Sequence, residues 1–167
     1  TFAWSANAAT GNVDSAVNLI AGTYYVTVTD ALGCIGRDTI VITQPTAVSF
    51  TSSVTNVLCN GGNNGSISLT PAGGTGAYTY TWSGGLPATQ TVSNLTAGNY
   101  SVTLSDALSC SASGTFSITQ PTALALNPTV FKDIRCFNGN DGFITVSPTG
   151  GTGPYHYSWS HNAGLNQ

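Results

Sequence analysis

The residues best suited to chemistry in this sequence are four cysteines that stand far apart along the chain. They are Cys34, Cys59, Cys110 and Cys136, with spacings of 25, 51 and 26 residues. Zinc sites usually contain close cysteine pairs, which this spacing does not provide. Four cysteines without any methionine, in a chain rich in serine and threonine, are typical of an oxidising, extracellular setting. We therefore predict that all four cysteines form disulfides.

His156 and His161 are the remaining side chains that could take part in catalysis. A nucleophile requires a base and an orienting group that converge on it, and neither histidine has a histidine counterpart in the earlier, similar stretch of the chain. Asp30 and Asp106 fall in predicted turns, where aspartate commonly bonds its own backbone. The sequence therefore predicts no catalytic residue and no bound cofactor, and we expect the protein not to be an enzyme.

Two further groups of residues could bind a ligand. The asparagine-rich segments 60–64 and 138–141 offer oxygen atoms of the kind that Ca²⁺ accepts, but each holds at most one carboxylate. Such residues are common in tight loops, so we predict no metal site. Trp4, Trp82 and Trp159 could form a platform for a sugar, but their alternation with hydroxyl residues favours a buried, structural role.

The cysteines, the asparagine-rich segments and the tryptophans recur because the chain contains an internal repeat. Residues 59–83 and 136–160 are identical at 14 of 25 positions, and residues 19–45 and 95–121 are identical at 15 of 27. The offsets are 77 and 76 residues, so the loops absorb a single residue while the strands keep their spacing. We predict the C-terminal part of one repeat at residues 1–45, a complete repeat at 46–121 and the N-terminal part of a third repeat at 122–167.

Alternating apolar and polar residues predict six or seven short antiparallel strands in each repeat. Residues 99–106 show the pattern clearly, with Tyr100, Val102 and Leu104 on one side. A tryptophan in the third strand and a tyrosine at the start of the sixth are typical of a small Ig-like or fibronectin-like sandwich. We therefore predict an all-β chain of tandem antiparallel β-sandwich repeats, with little or no helix.

Composition excludes several classes of function. Charged side chains make up only 5% of the chain, and the net charge is −3. Nucleic-acid binding requires cations that displace phosphate counterions, so we predict no nucleic-acid partner. No apolar run approaches the roughly 20 residues of a membrane-spanning helix, so we predict no membrane insertion. Because Thr1 lies in mid-repeat, we expect any secretion signal to precede it.

Two arrangements of the disulfides remain open. Cys59 follows the first strand of the complete repeat and Cys110 follows the sixth, so they lie at opposite ends if successive strands alternate in direction. A strand of six residues spans roughly 20 Å, whereas a disulfide tolerates only about 4.4 to 6.8 Å between Cα atoms. We favour bonds between neighbouring repeats, with partner cysteines outside residues 1–167, over a Cys59–Cys110 bond within one repeat.

The repeated motifs carry a family resemblance. CNGGNNGSI at residues 59–67, GGTGAYTYTWS at 73–83 and LTAGNYSVTLSD at 95–106, together with Cys110, resemble the SprB repeat. That family occurs in very long surface proteins of Bacteroidetes, including a mobile gliding adhesin. The resemblance implies type IX secretion, an extracellular location on the outer cell surface and a connection to the gliding machinery through the parent protein. It implies no catalytic residues.

Together these features favour a structural stalk or filament segment of a large secreted adhesin that serves gliding motility or surface attachment. The expected partners are neighbouring repeats of the same chain, with surface polysaccharide or glycans as further candidates. A carbohydrate-binding repeat module and an accessory module of a secreted polysaccharide-degrading enzyme remain alternatives. The triplets that contain Ser15 and Thr39 resemble Bacteroidetes O-glycosylation sites, so these two hydroxyls are candidate glycan acceptors.

Overall fold

The structure is a computed structural model that describes residues 1–4 and 14–160. The chain divides into two compact units, residues 1–47 and residues 48–167. Within the described part of the chain every regular element is a β-strand, apart from one 3₁₀ turn at Ser83–Gly85. The prediction of an all-β chain is therefore confirmed. The finer division into three repeats stays a prediction.

The first unit contains one antiparallel sheet of three strands. Its strands are β1 (Phe2–Trp4), β2 (Gly22–Thr29) and β3 (Ile35–Ile42), and β2 lies in the middle. Alternation along β2 places Tyr24, Val26 and Val28 on one face of the sheet. Tyr24 is buried and donates its hydroxyl to the carbonyl oxygen of Ile20 at 2.8 Å.

A tight turn that begins at Asp30 joins β2 to β3. Asp30 Oδ1 accepts the backbone N–H groups of Leu32 and Cys34, both at 2.8 Å. The backbone hydrogen bond from Cys34 is the main reason why the pKa of Asp30 lies below its usual value. An aspartate that satisfies its own turn in this way explains why this residue type stands at the end of the strand.

Residues 48–121 contain six strands in two antiparallel sheets. They cover nearly all of the predicted complete repeat, and we refer to them by that name. One sheet contains β4 (Ser49–Thr55), β5 (Gly65–Ala72) and β7 (Thr91–Leu95), with β5 in the middle. The other contains β6 (Thr79–Trp82), β8 (Gly98–Ser105) and β9 (Ser111–Ile118), with β8 in the middle. β8 matches the predicted strand at residues 99–106 to within one residue at each end. It is the fifth strand of this segment, so the prediction that a tyrosine opens a sixth strand and that Cys110 follows it is wrong by one strand.

The two sheets share one apolar core. Ile67 and Leu69 point inward from β5 and are fully buried, and Val102 of β8 lies among the same core residues. Trp82 of β6 is only 6% exposed, and its indole N–H donates to the carbonyl oxygen of Thr89 at 2.9 Å. Two antiparallel sheets that bury their facing sides against each other form a β-sandwich, as the sequence predicts.

The rest of the second unit contains two described strands. β10 (Ala125–Lys132) and β11 (Phe143–Thr149) pair antiparallel, with a register shift between Pro128 and Val130. They correspond in sequence to β4 and β5. Residues 156–159 correspond to β6, but they form no strand.

Candidate functional site

The complete repeat has two ends, each with its own cysteine. At the end where the chain enters, which we call the proximal pole, Val48 lies beside Gly74 and Asp106. A Cβ on Gly74 would lie 2.7 Å from the Val48 side chain and 2.8 Å from Asp106 Oδ2, so only glycine fits there. Cys110 belongs to this pole because its backbone N–H donates to Asp106 Oδ1 at 2.8 Å.

At the opposite end, the distal pole, the loop between β4 and β5 carries Cys59 and holds the chain as it leaves β9. Main-chain and side-chain groups both take part, which fixes the direction of the departing segment. Three hydrogen bonds make this attachment: Val57 N–H to Thr119 O at 3.0 Å, Asn60 Nδ2 to Pro121 O at 3.0 Å, and Gly61 N–H to Gln120 Oε1 at 2.8 Å.

Cys59 and Cys110 are separated by the length of β9. Cys110 directly precedes the first residue of this strand, and the loop that carries Cys59 is bonded to the residues that follow its last. The strand has 8 residues, and at roughly 3.3 Å per residue it spans about 26 Å. This distance is several times the Cα separation of about 4.4 to 6.8 Å that a disulfide tolerates. A bond within the folded repeat is therefore excluded.

All four cysteines are exposed, unbonded thiols. The two loops after the first strands have the same local geometry: Gly62 N–H donates to Cys59 O at 3.0 Å, and Gly139 N–H donates to Cys136 O at 2.8 Å. Exposure leaves each sulfur accessible to a partner. Disulfide formation by the four cysteines stays a prediction.

Asp106 ties the loops of the proximal pole together. Its Oδ1 accepts the N–H groups of Leu108 at 2.9 Å and Cys110 at 2.8 Å, and its Oδ2 accepts Thr75 N–H at 2.8 Å. Burial raises the pKa of Asp106, but the three backbone donors together outweigh this effect and hold the pKa below its usual value. Asp106 is 5% exposed, and its carboxylate acts as a structural bridge between two loops.

The asparagine-rich loops use their side-chain oxygens on their own backbone. Asn64 Oδ1 accepts Leu58 N–H at 3.1 Å, and the equivalent Asp141 Oδ1 accepts Arg135 N–H at 3.1 Å. Lys132 Nζ lies 2.8 Å from Asp141 Oδ2, and this contact is the main cause of the lowered pKa of Asp141. Among the described residues, no group of three His, Cys, Asp or Glu side chains is placed to hold a metal ion.

The equivalent tryptophans at residues 82 and 159 differ in their burial. Trp82 is buried, as predicted, and burial raises the pKa of the half-buried Tyr80. Trp159, the equivalent of Trp82, is 39% exposed. The side chain of Trp4 lies outside the part of the chain that the structure describes.

The remaining candidate residues are two histidines and two hydroxyl residues. His156 is exposed, and His161 lies outside the described residues. Ser15 and Thr39 are both exposed, so their hydroxyls are accessible, but their glycosylation stays a prediction.

The contacts at the distal pole are the feature that sequence reasoning missed. The sequence predicts a turn around Asn60 and a linker around Gln120. In the structure the side chains of these two residues form hydrogen bonds between the two segments. A usable signal was present, because the Gln-Pro pair at residues 120–121 also occurs at 44–45. A repeated glutamine beside a repeated proline suggests a fixed contact rather than a flexible joint.

No helical segment in the described ranges combines the length and the hydropathy of a membrane span. A search of curated proteins finds no match to this chain. Comparison with protein families matches residues 51–87 and 129–164 to the SprB repeat. The first match runs from β4 to just beyond β6, and the second contains β11 and the aromatic segment after it. The SprB repeat is a structural repeat associated with cell-surface proteins. Two segments of the chain therefore match the SprB repeat family, in agreement with the resemblance found in its sequence motifs.

Proposed function

We propose that this chain is a stalk segment of a large secreted cell-surface adhesin that serves gliding motility or surface attachment. One observation carries the proposal: the chain enters the complete repeat at the proximal pole and leaves it at the distal pole. The two poles are separated by about 26 Å, the length of an eight-residue strand. Each repeat therefore adds length to the protein, as a stalk requires.

The first and last strands of the repeat suit it to bearing tension. β4 and β9 belong to different sheets but lie next to each other, where Phe50 of β4 contacts Phe116 of β9. Both strands run from the proximal to the distal pole, and we call this boundary the β4–β9 edge. At the distal end Thr119 N–H donates to Asn56 Oδ1 at 2.9 Å, beside the bond from Val57 N–H to Thr119 O. Tension applied between residues 48 and 121 pulls these parallel strands in opposite directions. The contacts along the edge are then loaded together, so they resist more force than contacts that open one at a time.

The cysteines fit the same role. Cys59 lies at the distal pole, where the next repeat follows, and Cys110 lies at the proximal pole, where the previous repeat ends. A bond from Cys59 to the cysteine that corresponds to Cys110 in the next repeat would staple each joint and limit its extension. Peptide mapping of the intact surface protein under non-reducing conditions should show this linkage between repeats. A Cys59–Cys110 peptide pair would contradict the staple.

Single-molecule force spectroscopy tests the stalk itself. With handles at Thr1 and Gln167, the complete repeat should unfold in one step, with a gain in contour length on the order of 200 Å for a segment of this size. Asn56→Ala should lower the unfolding force, because it removes an acceptor at the distal end of the β4–β9 edge. Ser53→Ala is the matched control, since Ser53 lies on the exposed side of β4.

Two outcomes would overturn the proposal. Gradual extension at low force, without a distinct unfolding step, would show that the repeat does not resist tension. Equal unfolding forces for the Asn56 and Ser53 variants would show that the β4–β9 edge does not carry the load. Tight binding to a defined glycan by a repeat of low mechanical strength would instead favour the carbohydrate-binding module.

A further inference from the structure

The loop at the distal pole of the complete repeat contains an asparagine followed by a glycine, Asn60 and Gly61. Asparagine is among the thermolabile residues of proteins. It is most labile before glycine, because no side chain obstructs attack by the glycine nitrogen on the asparagine amide. Gly61 has a φ of 75°, a conformation that favours glycine. The turn itself therefore requires the second residue of this susceptible pair.

Both reacting groups of the pair are held by the residues that follow β9, which we call the exit segment (residues 119–122). Gly61 N–H donates to Gln120 Oε1 at 2.8 Å, and Asn60 Nδ2 donates to Pro121 O at 3.0 Å. The nitrogen that would attack and the amide that would leave are thus both engaged in hydrogen bonds. Reaction between them requires the exit segment to separate locally from the loop.

The exit segment is also attached to the part of the chain that follows it. Gly151 N–H donates to Thr122 O at 2.8 Å, and a Cβ on Gly150 would overlap the carbonyl oxygen of Ala123. The exit segment therefore connects the complete repeat to the segment that contains β10 and β11. A change at Asn60 would weaken this connection on the side of the complete repeat.

We propose that Asn60 is a site of spontaneous deamidation that is controlled by opening of the distal pole. When the exit segment separates, Gly61 N loses its proton to water and bonds to Asn60 Cγ, and the Cγ–Nδ2 bond breaks as ammonia leaves with a proton from the solvent. Water then breaks one of the two C–N bonds of the succinimide ring, so that Gly61 N regains a proton and residue 60 becomes aspartate or isoaspartate. The net reaction consumes one water and releases one ammonium ion. Thermal opening is sufficient, so the reaction does not require tension along the chain.

The product cannot restore the original contact. An amide nitrogen donates hydrogen bonds, whereas an ionised carboxylate only accepts them, so two acceptors would face each other at Pro121 O. A new negative charge would also enter residues 48–121, which contain a single charged side chain, Asp106, and no cation to offset the charge. Deamidation therefore converts a transient opening of the distal pole into a lasting one.

A second asparagine–glycine pair, Asn138 and Gly139, provides an internal reference. Gly139 N–H donates to Cys136 O at 2.8 Å, so its attacking nitrogen is held by its own loop and not by the exit segment. The rate of deamidation at Asn138 should therefore not depend on the contacts of the distal pole.

Peptide mapping by mass spectrometry tests the proposal on the 167-residue chain after incubation in mildly alkaline buffer with reductant. Asn60 should deamidate more slowly in the folded chain than in urea. Gln120→Ala should raise the folded-state rate at Asn60 by roughly two- to tenfold, because it removes one of the hydrogen bonds that hold the loop. Gln120→Glu keeps an acceptor for Gly61 N–H, so its rate should stay close to that of the wild type. Gln44→Ala is the matched control, since Gln44 is an exposed glutamine in the same sequence context of the first unit.

Three results of this experiment would overturn the proposal. Equal rates at Asn60 in the folded chain and in urea would show that the distal pole does not protect it. Equal rates in Gln120→Ala and Gln44→Ala would show that the exit segment does not control the reaction. Acceleration of Asn138 by Gln120→Ala to the same extent as Asn60 would show that the effect is not confined to the distal pole.

A variant that carries the product charge tests the lasting effect separately. Asn60→Asp should lower the protection of the Gly61 amide against hydrogen exchange, measured relative to the unfolded chain, by roughly two- to tenfold, because the bond to Pro121 O is lost. Asn63→Asp is the matched control, since it adds the same charge at an exposed position of the same loop. Equal protection of Gly61 in the two variants would mean that deamidation leaves the distal pole closed, contrary to the inference.

Discussion

Ile67 and Ile144 stand at the same position of the SprB repeat, yet one is fully buried and the other is 60% exposed. Both lie on paired strands with the same apolar alternation, so the difference does not arise within the strand. Ile67 is covered because β8 and β9 bring a second sheet over it, whereas β11 has no such sheet above it in the described chain. The comparison teaches that the core of this repeat is made by the meeting of two halves.

The aromatic segment shows the same dependence at the level of secondary structure. Tyr78 and Tyr155 each donate a hydroxyl hydrogen bond to the glycine carbonyl five residues earlier, so this local contact forms in both copies. Only the segment after Tyr78 continues as a strand, β6. It does so because β8 lies beside it and pairs with it through backbone hydrogen bonds. Local contacts therefore survive without the partner sheet, but the strand does not.

Truncation of the two equivalent isoleucines should break this comparison most clearly. Ile67→Ala should destabilise the complete repeat by about 2 to 5 kcal/mol, because it removes buried methyl groups and leaves a cavity. Ile144→Ala should change the stability of the complete repeat by less than about 0.5 kcal/mol, as substitutions at other exposed positions do. Urea unfolding followed by tryptophan fluorescence measures both values. Losses of similar size would show that the two positions share one environment.

The two turn aspartates should differ in their effect on acid stability. The folded-state pKa of Asp106 is lowered, so its contribution is present above the unfolded pKa of about 3.9 and is lost as the pH falls through the folded value. Asp106→Asn should therefore lower the urea midpoint of the complete repeat at neutral pH. The further fall of this midpoint below about pH 4 should be less steep than in the wild type. Asp30→Asn is the control, because Asp30 lies in the first unit. If the urea midpoint of the Asp106→Asn variant falls below pH 4 as steeply as that of the wild type, Asp106 does not contribute to acid stability in this way.

The contacts at the distal pole should matter only in the complete repeat. Asn56→Ala should cost about 1 kcal/mol, since it removes the acceptor of Thr119 N–H. Asp133 stands at the equivalent position after β10, and Asp133→Ala should leave the unfolding of residues 48–121 unchanged. Amide hydrogen exchange at Thr119 reports the local effect. Full protection of this amide in the Asn56 variant would mean that the side chain is not its partner.

The smallest effect is expected at the turn between β8 and β9. Ser109 has a φ of 66°, whereas the equivalent Gly33 has a φ of 89°, and side chains other than glycine are strained in this region. Ser109→Gly should therefore stabilise the hairpin by about 0.5 to 1 kcal/mol after the entropy cost of glycine is included. A shift of the urea midpoint to higher concentration would support this value. Destabilisation would show that the serine side chain makes a contact worth more than the strain.

The repeat period, the alternating strands and the turns at Asp30 and Asp106 could all be predicted from the sequence. These features depend on residues close together along the chain: β-propensity and alternation define each strand, and an aspartate bonds its own turn. Tyr24 and Tyr100 likewise bond to carbonyl oxygens only four residues earlier, at 2.8 and 2.9 Å, in both units. Such features do not require a partner sheet.

Other properties were decided by tertiary structure, because they depend on residues far apart in sequence. The parallel placement of β4 and β9 and the hydrogen bonds of Asn60 and Gln120 bring together segments some 60 residues apart, with separations of 61 and 59. The distance between Cys59 and Cys110 follows from the direction of β9, which no local pattern reveals. The sequence alone determined which strands and turns this protein makes. Only the packing of the two sheets decided which apolar faces are buried.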